Sequence, residues 1–220
     1  MTTIKKERIL TILSDEGIFI LSKKILKYLK SKMFQISKEL IFELDLEKCV
    51  PRADSKIELS LRWGSKEDID SMNEENYGYD QHGKNYSKER LDKGDKFLLA
   101  LHNGKIVGYI WAMKDKMELS EFNHISLPFN RVYTYNTFVL KEYRGKRVQG
   151  AMYTYLINTL RRDGKRFAVD LTNTNNKSAL EIKNKYRGEF KIIGRVIQIR
   201  FLGLKYDYIN KKDLKYLQSP

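Results

Sequence analysis

One cysteine, Cys49, stands in 220 residues, so no intrachain disulfide can form and no set of thiols is present to build a structural zinc site. Three prolines and thirteen glycines exclude a collagen-like or linker-dominated chain. No apolar run approaches the ~18 residues of a bilayer span, and the apolar segment Ile9 to Leu13 is too short for a secretory core of about 7 to 15 residues; a cytoplasmic protein is expected. Acidic residues are the scarcer sign, 28 against 42 Lys and Arg, which leaves a net charge of +14. What is abundant is material for a core: 41% of the residues are hydrophobic and 12% aromatic, too much for an intrinsically disordered chain.

The surplus of positive charge is not spread evenly. Residues 1–55 hold 11 basic and 8 acidic residues, residues 56–130 hold 11 and 13, and residues 131–220 hold 20 and 7. A basic balance fits a nucleic acid, a membrane surface or an anionic small molecule, and the last ninety residues are where the anion is expected.

Along the chain, apolar residues recur at helical spacing over residues 4–34 (Ile9, Ile12, Leu13, then Ile18, Leu21, Ile25, Leu26, Leu29), with Ser14, Asp15 and Glu16 placed to start a second helix. That helix carries Lys23, Lys24, Lys27, Lys30 and Lys32, a pattern that suits either packing on a main domain or contact with anionic lipid. Residues 40–46 alternate as a strand, and a boundary is expected near residue 55, dividing a 1–55 extension from a 56–220 domain. Ile57 to Trp63 reads as a strand, and Ser65 with Asp68 starts a helix to about Asn73. Tyr77 to Tyr86, polar and aromatic without a period, reads as a loop, and Ser87 to Leu91 as a short helix ended by Lys93-Gly94. Asn103-Gly104 between two β-rich runs, Lys96 to Leu101 and Ile106 to Met113, predicts a tight hairpin, because both turn residues tolerate positive φ. A further strand is expected over residues 131–140.

That strand runs into Lys141-Glu142-Tyr143-Arg144-Gly145-Lys146-Arg147-Val148-Gln149-Gly150-Ala151 and then an amphipathic helix. Strand, turn and helix present unpaired N–H groups to an anion. The helix start adds about half a positive charge, Gly145 and Gly150 allow close approach, and Arg144, Lys146 and Arg147 add formal charge. Neither the nucleotide-triphosphate loop nor the dinucleotide fingerprint has this spacing.

These residues resemble the GNAT superfamily of N-acetyltransferases, whose signature is a strand ending in Val, a Tyr-Arg-Gly-like turn and a glycine-rich loop around the pyrophosphate of acetyl-CoA. Val139, Tyr143, Arg144 and Gly145 match it. Arg147 and Gln149 stand where the family has glycines, with Gly150-Ala151 just beyond. The order of elements agrees over residues 56 to about 205, with Arg166 to Leu171 as a strand, Asn175 to Ala179 as a helix entry, a closing Gly188 to Phe190 and final strands over 192–204. The resemblance implies an α+β fold, a central, mostly antiparallel twisted sheet flanked by helices, preceded by an N-terminal helical extension. It implies an acetyl-CoA-dependent N-acyltransferase acting on a small amine, an amino sugar of surface-polysaccharide synthesis being one candidate. Backbone groups of Phe138, Val139 and Leu140 would then hold the acyl-pantetheine arm between parting strands, residues 144–151 (Arg144, Gly145, Lys146, Arg147, Val148, Gln149, Gly150 and Ala151) the pyrophosphate, and Asn176 a place near the pantetheine.

Acetyl transfer also needs a proton acceptor for the amine and a donor for the thiolate. Candidates for the first are Glu118, Glu121, His124, Tyr133 and Asn136. For the second, the position where the family often has Tyr holds Lys183, and Tyr186, one turn on, is the candidate acid. Trp63, Trp111, Tyr77, Tyr79 and Tyr135 are candidates for an aromatic wall against a sugar ring. No metal is expected. The N-terminal helices are candidates for dimerisation or membrane-surface contact. A nucleic-acid-binding protein using the basic C-terminal surface, and a CoA-binding relative without catalysis, are the rival readings.

Overall fold

The structure, a computed structural model, describes residue 23 and residues 34–48, 54–119, 123–185, 190–201 and 204–219. The helices expected over residues 4–34, apart from Lys23 and Phe34, lie outside the described residues, as do Cys49, Glu121 and Tyr186.

Eight strands form one sheet in the order β10-β9-β1-β8-β7-β4-β3-β2. Here β1 is Phe34–Asp45, β2 Ser60–Trp63, β3 Lys96–His102, β4 Lys105–Met113, β7 Arg131–Val139, β8 Phe167–Asn173, β9 Phe190–Phe201 and β10 Leu204–Ile209. A separate small hairpin joins β5, Lys116–Glu118, to β6, His124–Ser126. Every neighbouring pair in the large sheet is antiparallel except β7 with β8. The fold is thus the expected α+β arrangement, a large and mostly antiparallel sheet flanked by helices.

The hairpin predicted at Asn103-Gly104 is there. Both residues have positive φ, 50° and 76°, as the tight turn between β3 and β4 requires. The long helix α4, Val148–Arg162, lays Val148, Met152, Leu156 and Leu160 on one face of the sheet against Leu98, Val107, Ile110 and Val132. On the other face Ile69, Met72 and Tyr79 pack on Phe97, Leu99, Tyr109 and Trp111. Ile69 lies in α1, Lys66–Ser71, and Met72 caps its C-terminus, whereas Tyr79 lies between α2, Glu74–Tyr77, and α3, Gln81–Asp92.

Residues 77–86, expected as a loop, are largely helical. Caps rather than an apolar stripe make them so. The Asn76 N–H donates to Asn73 Oδ1 at 2.9 Å, Gly78 ends α2 with φ 71°, and the Gly83 N–H donates to Asp80 Oδ1 at 2.7 Å to start α3. The buried residues of α3 are Ser87 and Arg90, which leave no hydrophobic period to read.

The strand expected at 40–46 begins earlier, at Phe34, and lies inside the sheet. It pairs with β8 from Glu39 to Asp45 and with β9 from Phe34 to Leu44. The boundary expected near residue 55 therefore does not divide the sheet. Two further helices complete the described chain, α5 Lys177–Lys185 and α6 Lys211–Gln218. The second buries Leu217 against Ile41, Val169 and Val196.

A buried ion pair fastens β1 and β7 to that last helix. Arg131 Nε donates to Glu43 Oε2 at 3.2 Å, Tyr216 donates its hydroxyl to Glu43 Oε1 at 2.8 Å, and the guanidinium also reaches the Ser219 carbonyl. Removing one member of such a pair leaves an uncompensated charge and costs about 3–5 kcal/mol. Arg131→Met is therefore expected to lower the thermal midpoint by roughly 6–20 °C. Scanning calorimetry should show most of that loss recovered when Glu43→Gln is added.

Candidate active site

The site begins with one extra residue. Along β7, Val132 and Val139 pack toward α4, and Thr134 and Thr137 face Tyr153 of that helix. Tyr133, Tyr135 and Phe138 pack on the opposite face. Strict alternation would put Thr134 and Thr137 on opposite faces. Asn136, with φ 47°, absorbs the slip, and the register with β4 jumps there, from Tyr109 opposite Phe138 to Trp111 opposite Tyr135. A bulge of this kind bends and twists its strand.

The consequence is a fork. β7 and β8 pair over only three positions, Arg131 with Phe167, Val132 with Ala168 and Tyr133 with Val169. Beyond them β8 continues beside β1 and β7 beside β4. Among the described residues, the edge of β7 that faces β8 has no strand partner from Thr134 to Val139. The Leu140 N–H, expected to serve the same edge, instead donates to Val107 on β4 at 3.0 Å.

At the open end of the fork lies the basic turn. A 3₁₀ turn, Lys141–Tyr143, leads to Gly145 with φ 76° and Arg147 with φ 62°, and Arg147 precedes α4 without capping it through its side chain. The N–H groups of Val148, Gln149 and Gly150 fall in the first turn of α4, where no intrahelical carbonyl can reach them. Arg144 Nε donates to the Val139 carbonyl at 3.1 Å, which ties the turn to the end of β7. The Lys146 carbonyl accepts from the Lys56 N–H at 3.0 Å, and the Lys146 ammonium sits 4.7 Å over the Tyr143 ring. Arg144, Gly145 and Arg147 are exposed, whereas Val148 is buried, so the charge of the turn faces solvent beside the start of α4.

At the base of the fork, on the α4 side, Tyr153 faces Thr134 and Thr137, and the buried carboxylate of Asp170 lies near its hydroxyl. Burial pushes the phenol pKa up, and Asp170 pushes it further. Asp170 itself is ion-paired with the buried Lys183 of α5. The Lys183 ammonium lies 4.6 Å from the ring centroids of both Phe42 and Phe190.

The opposite face carries a second polar group. Arg90 donates to Asp95 at 2.8 Å, to Glu118 at 2.7 Å and to the Tyr86 hydroxyl at 2.7 Å, and its guanidinium lies 4.2 Å over the Tyr135 ring. Tyr135 donates to Asp95 at 2.9 Å. Burial pushes the Glu118 carboxyl up, but Arg90 outweighs it and the net position is below the usual carboxylate range. A cavity of about 520 Å³ opens over this network, lined by Tyr86, Arg90, Asp95, Met113, Lys114 and Glu118 among others.

The expected residues divide accordingly. Residues 144–151 and 138–139 meet at the open end of the fork, and Asn136 is the bulge itself. Tyr133 is buried on the cavity face, where burial first and Asp170 second raise its pKa. Asn176 caps α5, its Oδ1 accepting from the Ala179 N–H at 3.1 Å. Exposed His124 stands opposite Glu118 in the small hairpin. The five aromatic residues do not form one wall. Trp63 packs on the α4 side with Tyr155, whereas Trp111 is buried against Phe97 and donates to the Tyr79 hydroxyl at 3.2 Å. Sequence reasoning passed over Tyr153, Asp170 and Arg90. Two of these sit inside helices without a motif around them, and Asp170 stands in a strand read only for its apolar residues.

The family comparison agrees with this geometry. The chain belongs to the acetyltransferase (GNAT) family, whose model matches residues 61–183, more than half of its length. Among solved structures, a GNAT-family acetyltransferase from Colwellia psychrerythraea is 15% identical with a TM-score of 0.53, covering 76% of this chain and 57% of its own. A tandem GNAT protein from the clavulanic acid biosynthesis pathway is 16% identical with a TM-score of 0.55, covering 77% of this chain and 55% of its own. The chain thus spans little more than half the length of either structure, and at these identities the likeness is one of fold. No curated protein is a significant match. Among the described residues, no helix is long and apolar enough to cross a membrane, and no group of His, Cys, Asp and Glu could hold a metal ion.

Two outcomes follow from the geometry. Arg147 holds a left-handed conformation that costs an L residue roughly 1–2 kcal/mol, partly offset by the freedom glycine adds to the unfolded chain. Arg147→Gly is therefore expected to raise stability by up to about 1 kcal/mol in urea unfolding. The carboxyl of Glu118 is held below its ordinary pKa of about 4.3, so its contribution to stability is complete above that value and lost as pH falls through the lower, folded value. Urea midpoints between pH 6 and 3 should fall less steeply for Glu118→Gln than for the native chain.

Proposed function

We propose that the protein transfers the acetyl group of acetyl-CoA to a primary amine of a small molecule. The observation that carries this reading is the fork between β7 and β8 with the basic turn at its open end. An unpaired strand edge takes an extended, amide-bearing arm by completing a ladder, and the start of α4 with Arg144, Lys146 and Arg147 takes phosphates. A pantetheine arm ending in a pyrophosphate needs both, adjacent and in that order. The six residues of β7 from Thr134 to Val139 provide about 17 Å of edge, five steps of ~3.3 Å.

When bound, acetyl-CoA supplies an activated acetyl thioester at the base of the fork. The protein's part is to hold it there, present the amine from the other face and move protons. The cavity over Arg90 and Glu118 is the acceptor's place. Its lining of lysines and carboxylates suits a hydrogen-bonding amine such as an amino sugar better than an apolar one. Glu118, kept ionised by Arg90, attracts the ammonium form of the acceptor, and water relays its proton outward. Tyr186 is the proposed acid that returns a proton to the sulfur. The amine loses one proton as the amide forms and the sulfur gains one as it leaves, so charge balances.

Calorimetric titration with acetyl-CoA tests the reading, with Arg144→Glu as the paired variant. The native chain is expected to bind one equivalent saturably, and the variant to bind at least about tenfold more weakly, as loss and reversal of a charged contact implies. No binding by the native chain would overturn the assignment. Binding would direct a turnover screen across amino sugars, amino acids and polyamines.

A further inference from the structure

At the base of the fork, the hydroxyl of Tyr153 is the group whose chemistry is not accounted for by binding. It projects from the second turn of α4, five residues past Val148 and so ~7.5 Å along the helix from the proposed phosphate site. It faces Thr134 and Thr137, the residues on either side of the bulge that both turn toward α4. It therefore stands inward of the basic turn, beside the point where the two strands part.

The neighbours leave its proton available. Asp170, the nearest carboxylate, has both oxygens engaged: Oδ1 accepts from the Thr172 hydroxyl at 3.1 Å and Oδ2 from the Lys183 ammonium. The Thr134 hydroxyl points to the Val169 carbonyl at 3.4 Å. Lys183 also cancels the charge of Asp170, so negative charge developing in the fork does not meet a bare anion. A phenol raised in pKa by burial, and then by Asp170, keeps its proton while donating a hydrogen bond, which is what a fixed donor to a developing oxyanion must do.

We propose that Tyr153 donates a hydrogen bond to the carbonyl oxygen of the acetyl thioester and stabilises the negative charge that gathers there as the amine adds. This rests on acetyl-CoA occupying the fork. The proton stays on Tyr153 throughout: the nitrogen–carbon bond forms while the carbonyl electron pair moves to oxygen, and that pair returns as the carbon–sulfur bond breaks. Thr134 and Thr137 are positioning residues, which aim the phenol.

Tyr153→Phe, which keeps the ring, is expected to lower kcat by about 10²–10³, the usual effect of losing one oxyanion donor, with acetyl-CoA affinity by calorimetry unchanged within about twofold. A second readout is independent of turnover. In isotope-edited infrared spectra of bound acetyl-CoA labelled at the acetyl carbonyl, the native protein should shift the band to lower frequency, and Tyr153→Phe should return it toward the free value. Should Tyr153→Phe fold poorly, fluorotyrosine at position 153 keeps the shape and strengthens the donor, and the band should move further down. A carbonyl band indifferent to both substitutions, or native kcat in Tyr153→Phe, overturns the proposal while leaving acetyl-CoA binding intact. Failure of the native chain to bind acetyl-CoA overturns it together with the reading on which it rests.

Discussion

The bulge at Asn136 is the constraint on which the rest of the site depends. Had β7 kept its alternation, its pairing with β8 would continue past Tyr133 and Val169, and the sheet would present no free edge in its interior. One residue at φ 47° shifts the faces of everything after it. It turns Thr137 and Val139 to the α4 side and Phe138 to the other, where Phe138 stacks 5.3 Å from Tyr109. Gly108 on β4 belongs to the same device. A Cβ there would lie 2.9 Å from the Phe138 carbonyl and 3.1 Å from Met152 Cε, so the strands can approach beside the bulge only because that side chain is missing.

Around this opening the protein places its charges in two different ways. The cations of the turn, Arg144 and Arg147, are exposed, and Arg144 still ties the turn to the Val139 carbonyl. Three interior groups are ion-paired: Lys183 with Asp170 at the base of the fork, Arg131 with Glu43 beneath it, and Arg90 shared by Asp95 and Glu118 on the far face. Buried pairs add little net stability and are costly to break. Here each spans different elements and fixes their relative placement. Lys183 holds α5 to β8, Arg131 holds β7 to β1, and Arg90 holds α3 to the loop before β3 and to β5.

How much of this could be read from the chain varies with the kind of signal each residue carries. Asn103-Gly104 and the Tyr143-Arg144-Gly145 turn were legible because local backbone demands pick out their residue types. Arg147 was visible as a departure from a glycine position, and its left-handed φ shows that the backbone demand persists although the residue has changed. Of the helix over residues 81–92 only the end, Ser87 to Leu91, was legible; its start was not, since the buried contacts come from Ser87 and Arg90 and periodicity detects only apolar ones. Tyr153 was hidden for the opposite reason: on an amphipathic helix a tyrosine reads as packing, and only the neighbouring threonines and Asp170 give its hydroxyl a purpose. Asn176 carried a motif, yet its side chain is engaged in capping α5, a role that the same residue type at the same place fulfils by itself.

The N-terminal strand explains how the fork can be stable at all. When β8 leaves β7 after Val169, the backbone groups of its last four residues would be left with one open edge at best. On the other side they are held by β1, where Phe42 pairs with Asp170 and Glu39 with Asn173. Asn173 also donates from its amide to Ser37 at 2.7 Å and to Glu39 at 2.8 Å. β7 is held in the same way by β4. Each arm of the fork is thus a strand with one satisfied edge and one free edge, and the arm that carries Asp170 owes its satisfied edge to residues 39–45. These residues precede the stretch that matches the family model, so a strand outside that stretch braces one wall of the fork.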